Sequence, residues 1–341
     1  MTASDGRAVF VDAPARLHFG VLDLRGDLGR WFGGIGAAAP APTLRLCARR
    51  SDSLRVGGDD ARLAGAFARR FLAFHRVSGG AAIHVERSLP RHVGLGSGTQ
   101  LGLAVARALA ELYCLRASAP DLAIAVGRGE RSAVGTWIFE GGGLVLEGGR
   151  RPNGGVGPLL ARLPFPATWR CIVAVPRAGS RMSGAAEAEA FAKLPAPPPD
   201  EVAHVSHLVT MGLLPALAEA DLARFGGALE RIQQITGRWF APVQGGVFAP
   251  GPTAELVREL KASGAYGVGQ SSWGPAVYGI VEGDEPARRL AERARDVLRG
   301  DGTVYAGAFR ACGARVWREG DATPAGEAGA SETSVGGEDL I

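Results

Sequence analysis

Pro90-Arg91-His92-Val93-Gly94-Leu95-Gly96-Ser97-Gly98-Thr99-Gln100 separates two segments of different periodicity. Before it, residues 82–87 read as a short strand, which Pro90 stops. After it, Leu101, Val105, Leu109 and Leu112 recur every three or four residues and predict an amphipathic helix starting near Gly98 or Thr99. A strand, a glycine-rich turn and a helix make a ready anion site. The first helical N–H groups have no intrahelical partner, and the macrodipole adds partial positive charge there. Glycines let the backbone approach phosphate oxygens. Ser97 and Thr99 add hydroxyl donors. Turns of this pattern also precede helices that bind nothing, so the surrounding residues must decide.

Outward from the turn, residues 9–11 read as a strand, with a kink at Pro14 before 16–20. Glycine-rich stretches follow at 25–29 and 33–36, and 43–49 alternates like a half-buried strand. Residues 63–75 carry apolar side chains at helical spacing. Ser118, Pro120 and Asp121 open another helix, Gly141 to Gly143 form a loop, and 144–146 a strand. An apolar strand at 171–176 opens the second half, and the prolines of 194–200 mark a linker. Helices are expected at 208–217, 222–235, 254–263 and 285–298, with strands at 277–281 and 307–316. The mixture lacks a regular βαβ alternation, which argues α+β.

The chain has 341 residues, 46% hydrophobic and 21% charged, ordinary values for a globular protein. No apolar run of bilayer-spanning length and no secretory leader are apparent, so a cytoplasmic protein without membrane association is expected. The four cysteines, at 47, 114, 171 and 312, form no CxxC pair, against a zinc site or disulfide framework. Lys193 and Lys261 are the only lysines, and a Walker A loop is thereby excluded. Residues 319–341 hold six acidic and no basic residues, leaving a basic body suited to an anionic substrate. Its arginines are dispersed with few interleaved aromatics, against nucleic-acid binding.

Pro90 to Gly98 resembles the second motif of the GHMP kinases, and Gly267-Val268-Gly269-Gln270-Ser271-Ser272-Trp273-Gly274-Pro275 resembles their third, in the right order. The opening, Pro14-Ala15-Arg16-Leu17-His18-Phe19-Gly20-Val21-Leu22-Asp23-Leu24, is similar to another branch of that superfamily, the β-ribofuranosylaminobenzene 5′-phosphate synthases. So are Gly33 to Gly36, Arg131 to Thr136 and Phe139 to Gly143, and the likeness spans roughly residues 9–316. It implies a GHMP-kinase-like two-domain α+β fold. Residues 8–165 would be an N-terminal domain like domain 2 of ribosomal protein S5, with a left-handed βαβ crossover. Residues 166–318 would be ferredoxin-like, and 319–341 a disordered acidic tail.

The resemblance further implies condensation of 5-phosphoribosyl-1-diphosphate with 4-aminobenzoate or 4-hydroxybenzoate, releasing CO2 and diphosphate, in tetrahydromethanopterin synthesis. Mg2+ is the implied cofactor, with no organic cofactor, and a homodimer is left open. An ATP-dependent GHMP small-molecule kinase is the alternative. The segment 132–138, where many of those kinases carry an aspartate base, has no carboxylate, and residues 1–192 contain no lysine. Homoserine kinase also lacks that base, so the alternative stays open.

Arg16 and His18, two apart on a strand, face one side. They contact the ribose phosphate or the benzoate carboxylate, or are a surface arginine and a core histidine. Asp23 holds metal or ribose hydroxyls, or caps a turn. Gly94, Gly96, Ser97, Gly98 and Thr99 are the phosphate binders, with Arg128 and Arg131 reaching the diphosphate unless they lie on a solvated helix face. Thr136, Glu140, Ser271, Ser272 and Trp273 are expected to bind substrate, Trp273 by stacking on the ring or else in interdomain packing. Glu130 or Glu140 is the metal candidate. His204 and His207 lack a third ligand and read as surface histidines.

Overall fold

The computed structural model describes residues 6–177, 189, 194–322 and 331–333. Two strands dominate its first half, β1 (Val9–Asp23) and β2 (Phe32–Ser51), paired antiparallel. The expected kink at Pro14 is a shift of register instead: β1 continues, but its pairing with β2 slips between Pro14 and Arg16 and again between His18 and Gly20. Such irregularities accommodate a proline without an N–H and re-aim neighbouring side chains. The glycine-rich stretch Gly33 to Gly36 lies within β2.

β2 shows why only its second half was legible. From Thr43 to Ala48 its burial alternates, as for a strand with one covered face. From Gly33 to Ala41 every residue is buried, because neighbouring elements cover both faces, so periodicity is erased. The sheet runs β11 (Arg315–Arg318)-β1-β2-β4 (Gly80–Arg87)-β3 (Arg55–Gly58), with β5 (Leu144–Glu147) on β2 and β6 (Leu159–Leu163) on β5. β3 (Arg55–Gly58) and β4 (Gly80–Arg87) are parallel and joined through α1 (Ala61–Phe74). α2 (Ser97–Leu112) lies between β1 and β2 on one side and α1, α3 (Ala119–Val126) and α4 (Val134–Gly141) on the others. Its near-complete burial explains its run of Ala, Gly and Leu. Ser118 and Asp121 form a reciprocal capping box on α3, and Gly127 closes it in the left-handed conformation.

The second half opens with β7 (Trp169–Pro176). After it come α5 (Pro199–Leu208), a π turn (Val209–Leu213), α6 (Leu214–Ala218), α7 (Leu222–Gln244) and α8 (Pro252–Ala262). β8 (Tyr266–Gln270), β9 (Val277–Glu282), α9 (Asp284–Leu298) and β10 (Gly302–Ala308) complete it. The antiparallel order β10-β7-β9-β8, with helices after β7 and β9, is the ferredoxin-like arrangement. By length and composition alone, Pro199–Ala218 is apolar enough to cross a bilayer, contrary to the expectation from the sequence; it packs against α7 and β1.

The expected strand over 307–316 is two strands in different sheets. β10 ends at Ala308, and β11 (Arg315–Arg318) returns to pair with Val9 to Asp12 of β1. Asp12, buried beneath that junction, meets Arg310 at 3.4 Å and Arg315 at 3.3 Å. Ring stacking of Phe165 on Phe309 at 3.7 Å, beside Phe225 and Trp169, continues the core from one half into the other. The expectation of an unstructured tail is modified at Ser331–Thr333, which pairs with Val304 to Ala306; residues 323–330 and 334–341 lie outside the described residues.

Candidate active site

The glycine-rich turn and the third motif are stitched into one structure. The Ser271 hydroxyl donates to the Gly94 carbonyl at 2.7 Å and accepts from the His18 amide at 3.0 Å. The Ala276 amide bonds the Val93 carbonyl, and Arg16 Nη1 donates to the Gly94 carbonyl at 2.6 Å. Gly94 has φ 89°, and a Cβ there would sit 2.1 Å from the Ser271 carbonyl oxygen. Gly96 has φ 76°, and its Cβ would meet Arg16 Cγ at 2.7 Å. Both positions need glycine on two counts: backbone conformation and close approach.

A cavity of about 340 Å³ opens over this turn, bounded by Ser97, Gly98 and Thr99 and by Arg16, Arg91 and Arg128. Thr99 and Gln100 spend their amides on the Gly96 carbonyl. The backbone donors of the first turn are therefore those of Ser97 and Gly98, and Thr99 offers its hydroxyl. Arg128 lies against Gly98, its guanidinium 3.1 Å from where a Cβ would stand, and over the Phe67 ring. Three guanidinium-bearing residues and two helix-start amides suit a polyanion.

A second cavity, about 270 Å³, shares Arg16, Thr99, Arg128, Ser272 and Trp273 with the first. His18, Glu130, Arg131, Phe32 and Phe240 also line it. Trp273 meets Phe240 edge to face at 5.1 Å, so one wall is aromatic. Its floor is a ladder of amides from both halves of the chain. Gln233 donates to the Phe19 carbonyl and accepts from the Gln270 amide at 3.0 Å, while Gln270 bonds Ala249, Ser272 and Gln244.

Behind His18 stands a group absent from the sequence reading. His18 Nε2 is 3.2 Å from the Ser132 hydroxyl, which is 3.5 Å from Glu147 Oε1. Glu147 is 1% exposed and accepts from the amides of Gly149 at 2.8 Å and Ala133 at 3.2 Å. Burial raises its carboxyl to about 7, and these hydrogen bonds pull the other way. Burial, then the Arg16 charge, lowers His18 to about 3, so its imidazole is neutral at physiological pH. Glu147 had a signal in the sequence, a carboxylate ending the apolar strand Leu144-Val145-Leu146, but no periodicity could pair it with His18.

Arg16, His18, the turn residues, Arg128, Arg131, Ser272 and Trp273 thus come together. Four expected residues stand elsewhere. Asp23 accepts from the amides of Arg25 and Gly26 and caps that turn. Glu140 pairs with Arg162 at 3.0 Å on the surface. Thr136 is fully buried in α4 and lines neither cavity. Ser271 is buried too and acts as the staple between motifs rather than as a lining residue. His204 lies in an open groove with Glu201, Glu230 and Arg238. Among the described residues no cluster of three His, Cys, Asp or Glu side chains could hold a metal, and Glu130 is the one carboxylate lining these two cavities.

Residues 62–138 match the model of the GHMP kinases N-terminal domain and residues 213–300 that of the GHMP kinases C-terminal domain. The chain is 30% identical over 312 residues to the beta-ribofuranosylphenol 5'-phosphate synthase of Methanothermobacter thermautotrophicus, covering 85% of this chain and 93% of that one. It is 34% identical over 281 residues to the protein of the same name from Archaeoglobus fulgidus, covering 79% and 86%. Among solved structures, homoserine kinase from Cytophaga hutchinsonii superposes with a TM-score of 0.68 at 19% identity, over 93% of this chain and 99% of the other. Mevalonate diphosphate decarboxylase from Staphylococcus aureus gives 0.64 at 14% identity, over 91% and 98%. These two likenesses establish the fold alone. With relatives of that identity matched along most of their length, the chain belongs to the beta-ribofuranosylphenol 5'-phosphate synthase family within the GHMP fold.

Proposed function

We propose that the protein joins 5-phosphoribosyl-1-diphosphate to 4-hydroxybenzoate or 4-aminobenzoate, releasing CO2 and diphosphate and forming a C-riboside. The observation that carries this reading is the union of an arginine-rich phosphate cradle with an aromatic-walled cavity. In it, the amides of Ser97 and Gly98 and the side chains of Arg16 and Arg128 take the diphosphate and stabilise the charge it gains as its bond to C1′ breaks. Arg131 holds the benzoate carboxylate. The ring packs against the wall formed by Phe240 and Trp273, which sets its carboxylate-bearing carbon against C1′. That carbon attacks, and loss of CO2 returns the bonding pair to the ring.

The donor set suits a divalent ion that arrives on the diphosphate better than a resident one, since Mg2+ is commonly held by one or two carboxylates plus substrate phosphates. Glu130 and the Ser97 hydroxyl would complete such a chelate. When bound, Mg2+ supplies charge neutralisation at the leaving group. The kinase alternative is less well supported, because no lysine or aspartate lines either cavity. The proposed reaction needs no organic cofactor, nucleic acid or membrane and would run in the cytoplasm. Incubation with phosphoribosyl diphosphate, each benzoate and Mg2+ tests it, reading CO2 and diphosphate. Release of neither, with ATP consumed on addition of a small alcohol, would favour the kinase.

A further inference from the structure

The carboxylate of Glu147 has no evident place in binding either substrate. It ends β5 and lines neither cavity, being joined to the cavity wall through Ser132, and no ion pair to it occurs among the described residues. The backbone nevertheless closes around it. A Cβ on Gly157 would stand 2.3 Å from Oε2, and one on Gly34 would stand 3.3 Å from both Oε1 and His18 Nε2. Two amides hold the carboxylate, and Ser132, itself fixed by the Val134 amide at 3.3 Å, stands between it and His18. The groups facing the pair are His18 and, beyond it, Arg16 from β1, Ser132 from the loop before α4, and backbone of β2 and of residues 149–157.

We infer that His18, Ser132 and Glu147 form a proton relay leading from the cavity wall to a buried carboxylate, which takes up the proton of a phenolic acceptor as its ring attacks C1′ and returns it once CO2 has left. This rests on the function proposed above. The acceptor O–H bond breaks and its proton goes to His18 Nδ1. The Nε2 proton passes to Ser132 and the Ser132 proton to Glu147. The phenolate pair enters the ring, and the ring carbon bearing the carboxylate bonds to C1′ as the C1′–diphosphate bond breaks. The bond to CO2 then breaks, its pair restores the aromatic ring, and the relay runs backward to reprotonate the phenolate. No net proton is exchanged. The relay solves a problem set by Arg16: an imidazolium 18 beside that guanidinium is strongly disfavoured, whereas a neutral imidazole that only switches tautomer is not.

Glu147 touches no substrate and is a positioning residue, so its test needs more than lost turnover. The protein has six histidines, few enough to assign His18 by 15N NMR. Without substrate, the His18 nitrogens should change tautomer as pH crosses about 7 without becoming imidazolium, and S132A and E147Q should each abolish that change. With phosphoribosyl diphosphate and 4-hydroxybenzoate, S132A and E147Q should lower kcat about a hundredfold, with KM for phosphoribosyl diphosphate unchanged. A His18 that protonates near its ordinary value, or does not respond to pH, would overturn the relay whatever the enzyme's activity. So would unchanged kcat in both variants of an active enzyme. Should the wild type release no CO2 with either benzoate, the proposed function and the phenol step fall together, while the NMR result still separates that from a relay absent from the fold. S132A keeps the Glu147 amide bonds and serves if E147Q does not fold.

Discussion

Ser271 and Gly94 lie 177 residues apart and bond hydroxyl to carbonyl at 2.7 Å. Because the same hydroxyl accepts from the His18 amide, one side chain fixes the glycine-rich turn, the third motif and β1 together. Removing it in S271A takes the acceptor from the buried His18 amide, at a cost of about 1–3 kcal/mol, while the Gly94 carbonyl keeps only its bond from Arg16. In G94A the added Cβ would collide with the Ser271 carbonyl and strain a positive φ, costing on the order of 1–3 kcal/mol for the backbone alone. Both variants should unfold at lower denaturant and bind phosphoribosyl diphosphate at least tenfold more weakly. Wild-type midpoints and affinities in both would show the staple to be dispensable.

Arg128 reaches the cradle and Glu140 does not. R128A should raise KM for phosphoribosyl diphosphate by roughly 10- to 100-fold, the worth of a charge-assisted hydrogen bond. E140Q should leave kcat/KM unchanged and alter stability by at most about 1 kcal/mol, as for other surface ion pairs. Steady-state kinetics at saturating benzoate separate the two.

Glu130 is the cavity's carboxylate. E130Q should shift the Mg2+ activation curve to higher concentration while activity at saturating Mg2+ partly recovers. A Mg2+ titration with an unmoved midpoint would remove Glu130 from the ion's surroundings.

His18 and Glu147 drive stability with pH in opposite directions. The His18 value is depressed in the folded chain, so its contribution is complete above about 6.5 and is lost as pH falls toward about 3. The Glu147 value is raised, so its contribution is complete below about 4.5 and is lost as pH rises through about 7. Denaturant unfolding at pH 4 to 8 should show H18N losing less stability on acidification than the wild type. E147Q should lose less on going from pH 5 to 7. The same pH slope in all three proteins would contradict the burial of both groups.

Asp12 is buried against Arg310 and Arg315 where the last strand returns to β1. D12A removes the buried carboxylate that Arg310 and Arg315 share and should cost about 3–5 kcal/mol in guanidinium unfolding, with little effect on KM. A loss under 1 kcal/mol would mean that water replaces the carboxylate without penalty.

Much of the site was legible because its signals are local. Backbone amides at a helix start, glycines beside them and the order of two glycine-rich motifs are properties of short stretches, and they pointed to Gly94 to Thr99 and to Trp273, which the structure brings to one pair of cavities. Asp23 and Glu140 were misplaced because a carboxylate near a motif looks the same whether it faces a cavity, caps its own turn or meets an arginine from the next strand. Gln233 and Phe240 went unseen because α7 presents them to the cavity only through its packing on β1 and β8.

An α+β chain with a helix start suited to an anion was readable from the sequence, since amide geometry and hydrophobic period act within a few residues. Only the packed molecule shows that Ser271 closes the glycine-rich turn, that the chain after β10 returns to the first sheet, and that Ser132 links Glu147 to His18. Those relations depend on how strands register and on how far a carboxylate is removed from water. Burial, which pushes Glu147 up and His18 down, belongs to the packed molecule and to no segment of it.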